Sequence, residues 1–157
     1  KGEADWTAVR DVREAISIPL VVNGDITSFE TVLRALERSG ADAVMIGRGA
    51  QGAPWLPGQI ARRLETGIIE PAPTLAQQLH YLRTLYDEVC RHYGLRIGLR
   101  HARKHLSWAL DVACGCAKAP AQSLKLWRER ILTSDDPRHV HQALTDAFDD
   151  FARSAAA

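Results

Sequence analysis

The sequence predicts an α/β segment followed by an all-α bundle. Three observations predict it. Two short apolar runs, residues 20–22 and 43–46, are one helix apart, and each ends in a glycine-bearing polar loop; that alternation builds parallel βα units. Glycine and proline then punctuate residues 66–74, TGIIEPAPT. Beyond them, apolar residues recur only at helical spacing. The expected division is 1–67 for the α/β part, 68–74 for a linker and 75–157 for the helices.

Asp5 is placed to cap a helix starting at Trp6, in which Trp6, Val9, Val12 and Ile16 recur at helical spacing. Ser17-Ile18-Pro19 stops it. Leu20, Val21 and Val22 read as a parallel strand buried on both faces. Thr27 or Ser28 caps the next helix, and Thr27 and Glu30 are spaced as a capping box. Phe29, Val32, Leu33 and Leu36 form its apolar stripe, and Gly40 ends it. Ala43 to Ile46 make a second buried strand, ending in Gly47-Arg48-Gly49. A further helix is expected over 55–65, with Pro57 near its start. Right-handed βα units build open doubly wound sheets or (β/α)₈ barrels, and both place ligands at the C-terminal ends of their strands. A barrel takes about 250 residues, and two strands neither close one nor cover both of their faces.

After the linker, a helix over 75–93 carries Leu75, Leu79, Leu82, Tyr86 and Val89 on one side and closes at Gly94. Others are expected over 96–112, over 120–132, and from Pro137 to about Phe151, with a frayed tail over 153–157. The 157 residues are 46% hydrophobic and 25% charged, a globular composition. Net charge is +1, so any basic footprint is local. No signal peptide and no apolar run of about 18 residues is present, which favours a cytoplasmic protein. The chain opens at Lys1 on a polar stretch that runs into a helix, as expected of the middle of a longer protein. Cys90, Cys114 and Cys116 are odd in number and spaced neither as a disulfide framework nor as a zinc site.

Two sites stand out. Asn23-Gly24-Asp25 and Gly47-Arg48-Gly49 follow successive strands, so their loops are expected side by side on one rim. Glycines admit close backbone approach, N–H groups at helix starts favour anions, and Arg48 adds a charged donor. The expectation is a phosphate cradle, although Gly, Asn and Asp also make ordinary turns. Gln51 to Trp55 continue from it, and Trp55 is expected to pack against the next helix. The second feature is RIGLRHARKHLSW, residues 96–108. Beside an apolar stripe of Leu95, Leu99, Ala102, Leu106 and Ala109, the cations Arg96, Arg100, Arg103 and Lys104 fall within an arc of about 100°, with no acid between them. They read as a phosphate-binding stripe or as a solvated basic face. His101 and His105 lie one turn apart but lack a third metal ligand. No catalytic constellation is evident, and Asp149-Asp150 reads as an exposed helix terminus.

Four stretches, KGEADW (1–6), IPLVVNGDI (18–26), GADAVMIGRGAQGAPW (40–55) and ARKHLSWAL (102–110), resemble the C-terminal part of tRNA-dihydrouridine synthases, closest to the bacterial DusB-like subfamily. Beyond Leu110 the resemblance rests mainly on helical pattern. It implies an FMN-dependent oxidoreductase that reduces uridines in tRNA to dihydrouridine, with NADPH reducing the flavin. It implies the last two βα units of a TIM barrel followed by a helical domain that helps hold tRNA. Carried over, Asn23, Gly24, Asp25, Gly47 and Arg48 become FMN contacts, and Arg96, Arg100, Arg103 and Lys104 candidate RNA contacts. The family's catalytic Cys lies in an earlier barrel segment, and none of the three cysteines here matches it, so the chain by itself is expected to be inactive. Its two strands are expected to be poorly supported, rearranged or paired with another copy, since their edge and apolar face lack partners. A stand-alone RNA-binding helical module and a dihydroorotate-dehydrogenase-like flavoenzyme are the alternatives.

Overall fold

The computed structural model describes residues 2–155. The chain divides into two compact units, one running to Glu70 and the other starting at Pro71. Among the described residues, no helix is long and apolar enough to cross a membrane.

The first unit runs α1 (Val9–Ala15), β1 (Val21–Val22), α2 (Phe29–Ser39), β2 (Ala43–Val44), a 3₁₀ turn (Arg48–Ala50) and α3 (Leu56–Thr66). The strands pair in parallel, Val21 with Ala43 and Val22 with Val44. Trp6, Val22, Ile26, Val32, Ala35 and Ile60 form the core. Asp42 ties the elements at their base. Its carboxylate accepts two guanidinium bonds from Arg13, at 3.0 and 3.1 Å, and the Leu20 N–H at 2.8 Å.

Several expectations need correction here. The first helix starts at Val9, because the Asp5 carboxylate accepts the Thr7 and Ala8 N–H groups in a turn that precedes it. Val12, expected in its apolar stripe, is exposed, as is Leu33 of α2. The capping box of α2 is Ser28 with Thr31 rather than Thr27 with Glu30. Neither strand is buried on both faces: Val22 is buried, but Val21 is 55% exposed, and Met45 lies beyond the end of β2 at 53%. A two-stranded sheet has no further strands to cover its outer face, so the apolar sequence that suits a parallel interior meets water. Gly40 and Gly67 do end their helices in left-handed conformation, with φ of 67° and 73°.

The second unit is four helices: α4 (Leu75–Tyr93), α5 (Leu95–Ala117), α6 (Ala121–Leu132) and α7 (Pro137–Ala155). Its core draws on all four, with Tyr86, Leu106, Leu110, Ile131, Leu144 and Phe151 almost wholly enclosed. Thr74 caps α4 through a reciprocal box with Gln77. Gly94 separates α4 from α5 as a single residue at φ 74° and ψ 157°, a region open essentially to glycine. Helix α5 runs past Val112 through Cys114-Gly115-Cys116, because Ala113, Cys114 and Ala117 continue its buried face. Helix α7 likewise runs past Phe151, so residues 153–155 are helical; residues 156–157 of the expected frayed tail lie outside the described residues. Asp150 is no exposed terminus. Its carboxylate accepts the Trp127 indole N–H at 3.0 Å, and that bond, with help from Ser123 and Arg153, holds its pKa below the ordinary aspartate range despite burial.

Candidate anion cleft and nucleic-acid face

The loops after β1 and β2 meet over a cleft of about 510 Å³. Asn23, Gly24, Asp25, Gly47 and Arg48 all line it, so the five residues singled out from two separate loops share one wall. Ile26, Thr27, Met45 and Gly49 complete the lining beside Gly2.

The bend at the end of β1 uses consecutive left-handed residues, Gly24 at φ 101° and Asp25 at φ 48°. Part of Asn23-Gly24-Asp25 serves the fold. The Gly24 carbonyl accepts the Trp6 indole N–H at 3.0 Å, and a side chain at Gly24 would meet the Ala4 Cβ at 2.7 Å. One Asp25 oxygen accepts the Ala4 N–H at 2.8 Å, and the other accepts Arg48 at 3.3 Å. An ionised carboxylate donates nothing and repels phosphate, so Asp25 orients the chain and the arginine. Arg48 remains 70% exposed, and a guanidinium carries five donors, of which the Asp25 contact uses one.

The glycines of Gly47-Arg48-Gly49 differ. A methyl group on Gly49 would lie 2.0 Å from the Ile26 carbonyl oxygen, so Gly49 exists to let the two loops touch. Around Gly47, among the described residues, no atom beyond its chain neighbours lies within 4 Å of such a methyl, so its backbone faces open space in the cleft wall. Only the symmetry of Gly-Arg-Gly marks Gly49 in the sequence. The 3₁₀ turn at Arg48–Ala50 leaves no mark there, because three residues are too few to show a period.

On α5 the four cations are not equivalent. Arg96, Arg100 and Lys104 are exposed, and none has an ion-pair partner among the described residues. Arg103 is half-buried and donates to Asp135, in the loop before α7, at 2.7 Å. The expectation of a stripe without acid therefore fails at Arg103: the acid arrives through tertiary folding. Leu95, expected in the apolar stripe, is 52% exposed, whereas Leu99, Ala102, Leu106 and Leu110 are buried. His101 stacks on Tyr93, with ring centres 4.8 Å apart, and His105 meets Trp108 edge-on at 5.4 Å. Among the described residues no His, Cys, Asp and Glu gather as a metal site. Cys90, Cys114 and Cys116 are free thiols on the helices of the second unit.

Residues 1–152 match the family model for dihydrouridine synthase. The chain is 44% identical over 149 residues to a probable tRNA-dihydrouridine synthase of Rhizobium leguminosarum, covering 95% of this chain and 43% of that protein. It is 38% identical over 151 residues to tRNA-dihydrouridine synthase B of Salmonella typhimurium, covering 96% and 44%. A probable tRNA-dihydrouridine synthase of Rickettsia prowazekii is 49% identical over 107 residues, 68% of this chain and 33% of the relative. The chain thus spans less than half the length of each of these relatives.

Proposed function

This chain belongs to the dihydrouridine synthase family, and from that premise we propose that it is the C-terminal part of an FMN-dependent enzyme that reduces uridines in tRNA to dihydrouridine with NADPH. Residues 1–67 are the last two βα units of its TIM barrel, and residues 75–157 its tRNA-holding helical domain. Supporting the barrel reading, β1 and β2 are parallel, α2 connects them, and Val21 and Met45 expose apolar surface where further barrel elements would pack. The family match sets aside the dihydroorotate-dehydrogenase-like alternative.

The observation that carries the flavin assignment is the convergence of both loops on one cleft, with Gly47 opening onto free space and Arg48 offering unused donors. These residues fit a phosphate monoester. Arg48 neutralises it, Gly47 lets it approach the backbone, and Asn23 offers an amide from the facing loop. Asp25 holds Arg48 in place and is a positioning residue. When bound, FMN supplies the hydride chemistry; this chain's residues bind and orient its phosphate end.

The test joins this chain to the upstream segment of its full-length protein. Bound flavin is read by absorbance and dihydrouridine is measured in tRNA. The joined protein is expected to be yellow and active. Arg48→Ala is expected to weaken FMN binding roughly ten- to hundredfold, since a hydrogen bond to a charged group contributes about 1.5–3 kcal/mol. A joined protein that purifies without flavin and makes no dihydrouridine when FMN is supplied refutes the reading.

A further inference from the structure

Among the described residues of the second unit five large hydrophobic side chains stand exposed, and three of them, Tyr93, Leu95 and Ile97, fall at the corner between α4 and α5. Random surface exposure scatters such residues singly; a cluster marks a contact surface. Here the cluster is aromatic as well as apolar. Tyr93 is 50% exposed and lies nearly parallel to the exposed His101 ring, at 28° and 4.8 Å, with His92 edge-on at 4.6 Å. The same exposed side of α5 carries Arg96, Arg100 and Lys104, one turn apart and free of ion pairs among the described residues. At about 100° per residue, these three and His101 lie within one half of the helix circumference.

We propose that the Tyr93–His101 pair is a stacking platform for an unpaired base of the RNA, with the flanking phosphates held by Arg96, Arg100 and Lys104. The proposal rests on reading the second unit as the RNA-holding domain and adds the site within it. Its physical basis is twofold. Every base has a π-face, so an exposed ring pair grips a single-stranded nucleotide regardless of identity. A row of unpaired cations supplies the backbone attraction, and its sign favours RNA over a protein partner. A duplex hides its base faces in its own stack, so the platform serves a loop, a bulge or the neighbour of an extruded nucleotide. Gly98 lets α5 pack backbone-to-backbone on Cys90 of α4, which brings the two helices that carry the rings close together.

The experiment titrates the chain with fluorescent oligouridine of about twelve nucleotides, within the usual site sizes, and with a blunt RNA duplex, at several salt concentrations. Tyr93→Ala is expected to weaken oligouridine binding by a factor between roughly 5 and 150, to leave duplex binding unchanged, and to leave the salt slope unchanged. Tyr93→Trp is expected to restore affinity. Arg100→Ala with Lys104→Ala is expected to lower the slope by about 0.7 per cation removed. Circular dichroism of each variant checks that the helices persist. Wild-type affinity in Tyr93→Ala, or equal losses on duplex and single strand, overturns the platform. So does a chain that binds no oligouridine at low salt, or that instead self-associates through Tyr93; neither result touches the flavin reading, which is measured on bound FMN.

Discussion

Replacing Gly98 by alanine puts a methyl group into α4. Its Cβ would lie 2.6 Å from the Cys90 Cα, 2.9 Å from the Val89 carbonyl oxygen and 3.1 Å from the Cys90 nitrogen. Carbon atoms in contact sit about 3.5–4.0 Å apart, so α4 and α5 must part by about 1 Å. All three obstructing atoms are backbone, so no rotamer change relieves the clash. Overpacking costs about 1–3 kcal/mol, and with only backbone in the way the upper part of that range, about 2–3 kcal/mol, applies. Alanine recovers about 1 kcal/mol through its higher helix propensity, leaving a net loss of about 1–2 kcal/mol. For a domain of this size each kcal/mol moves the melting point by about 4–8 °C, so residues 71–157, which carry their own core, should melt roughly 5–15 °C lower. Gly115 in the same helix is the control. Among the described residues, nothing beyond its own helix lies within 4 Å of a methyl there, so Gly115→Ala should raise the melting point by up to about 8 °C. Thermal unfolding followed by circular dichroism measures both. If Gly98→Ala melts at or above the unsubstituted protein, the close helix crossing is wrong, and with it the approach that brings Tyr93 beside His101.

Acid stability should report on the Trp127–Asp150 bond. The indole N–H depresses the Asp150 pKa in the fold, so its contribution is present above the unfolded value of about 3.9 and is lost as pH falls through the lower folded value. Trp127→Phe should flatten that acid limb in urea midpoints measured from about pH 5 downward; an unchanged pH dependence refutes the assignment. Thiol labelling should separate the cysteines. Burial pushes the Cys90 and Cys114 pKa values up, whereas Cys116 is exposed, so a maleimide should modify Cys116 first and one label per folded chain should form fast. Rapid labelling of all three in the folded state counts against the packing of α4 and α5.

What was legible in the sequence followed local rules. The bounds of α4 are visible because its apolar residues recur at helical spacing from Leu75 and Gly94 stops the helix. Pro120 and Pro137 mark the starts of α6 and α7 in the same way. What was not legible depends on distant partners. Arg103 meets an acid 32 residues away, and Asp150 meets an indole 23 residues away, and no periodicity encodes either pairing. The strands mislead for another reason. Their apolar letters specify burial on both faces, which the first unit, with two strands, satisfies only at Val22.

The candidate cleft shows how far residue type carries a site and where geometry takes over. Gly-Arg-Gly and Asn-Gly-Asp read as one composition suited to phosphate. In three dimensions they divide into residues that build the cleft and residues that remain available to fill it. Gly49 is consumed by contact with the Ile26 carbonyl, Gly24 by its left-handed turn against Ala4, and Asp25 by bonds to Ala4 and Arg48. What remains is the Gly47 backbone and the free edge of Arg48, with Asn23 beside them on the facing loop. Phosphate recognition needs few groups when they are held in place, because preorganised donors lose little freedom on binding. The residues that build the cleft are what hold the two or three available ones in place.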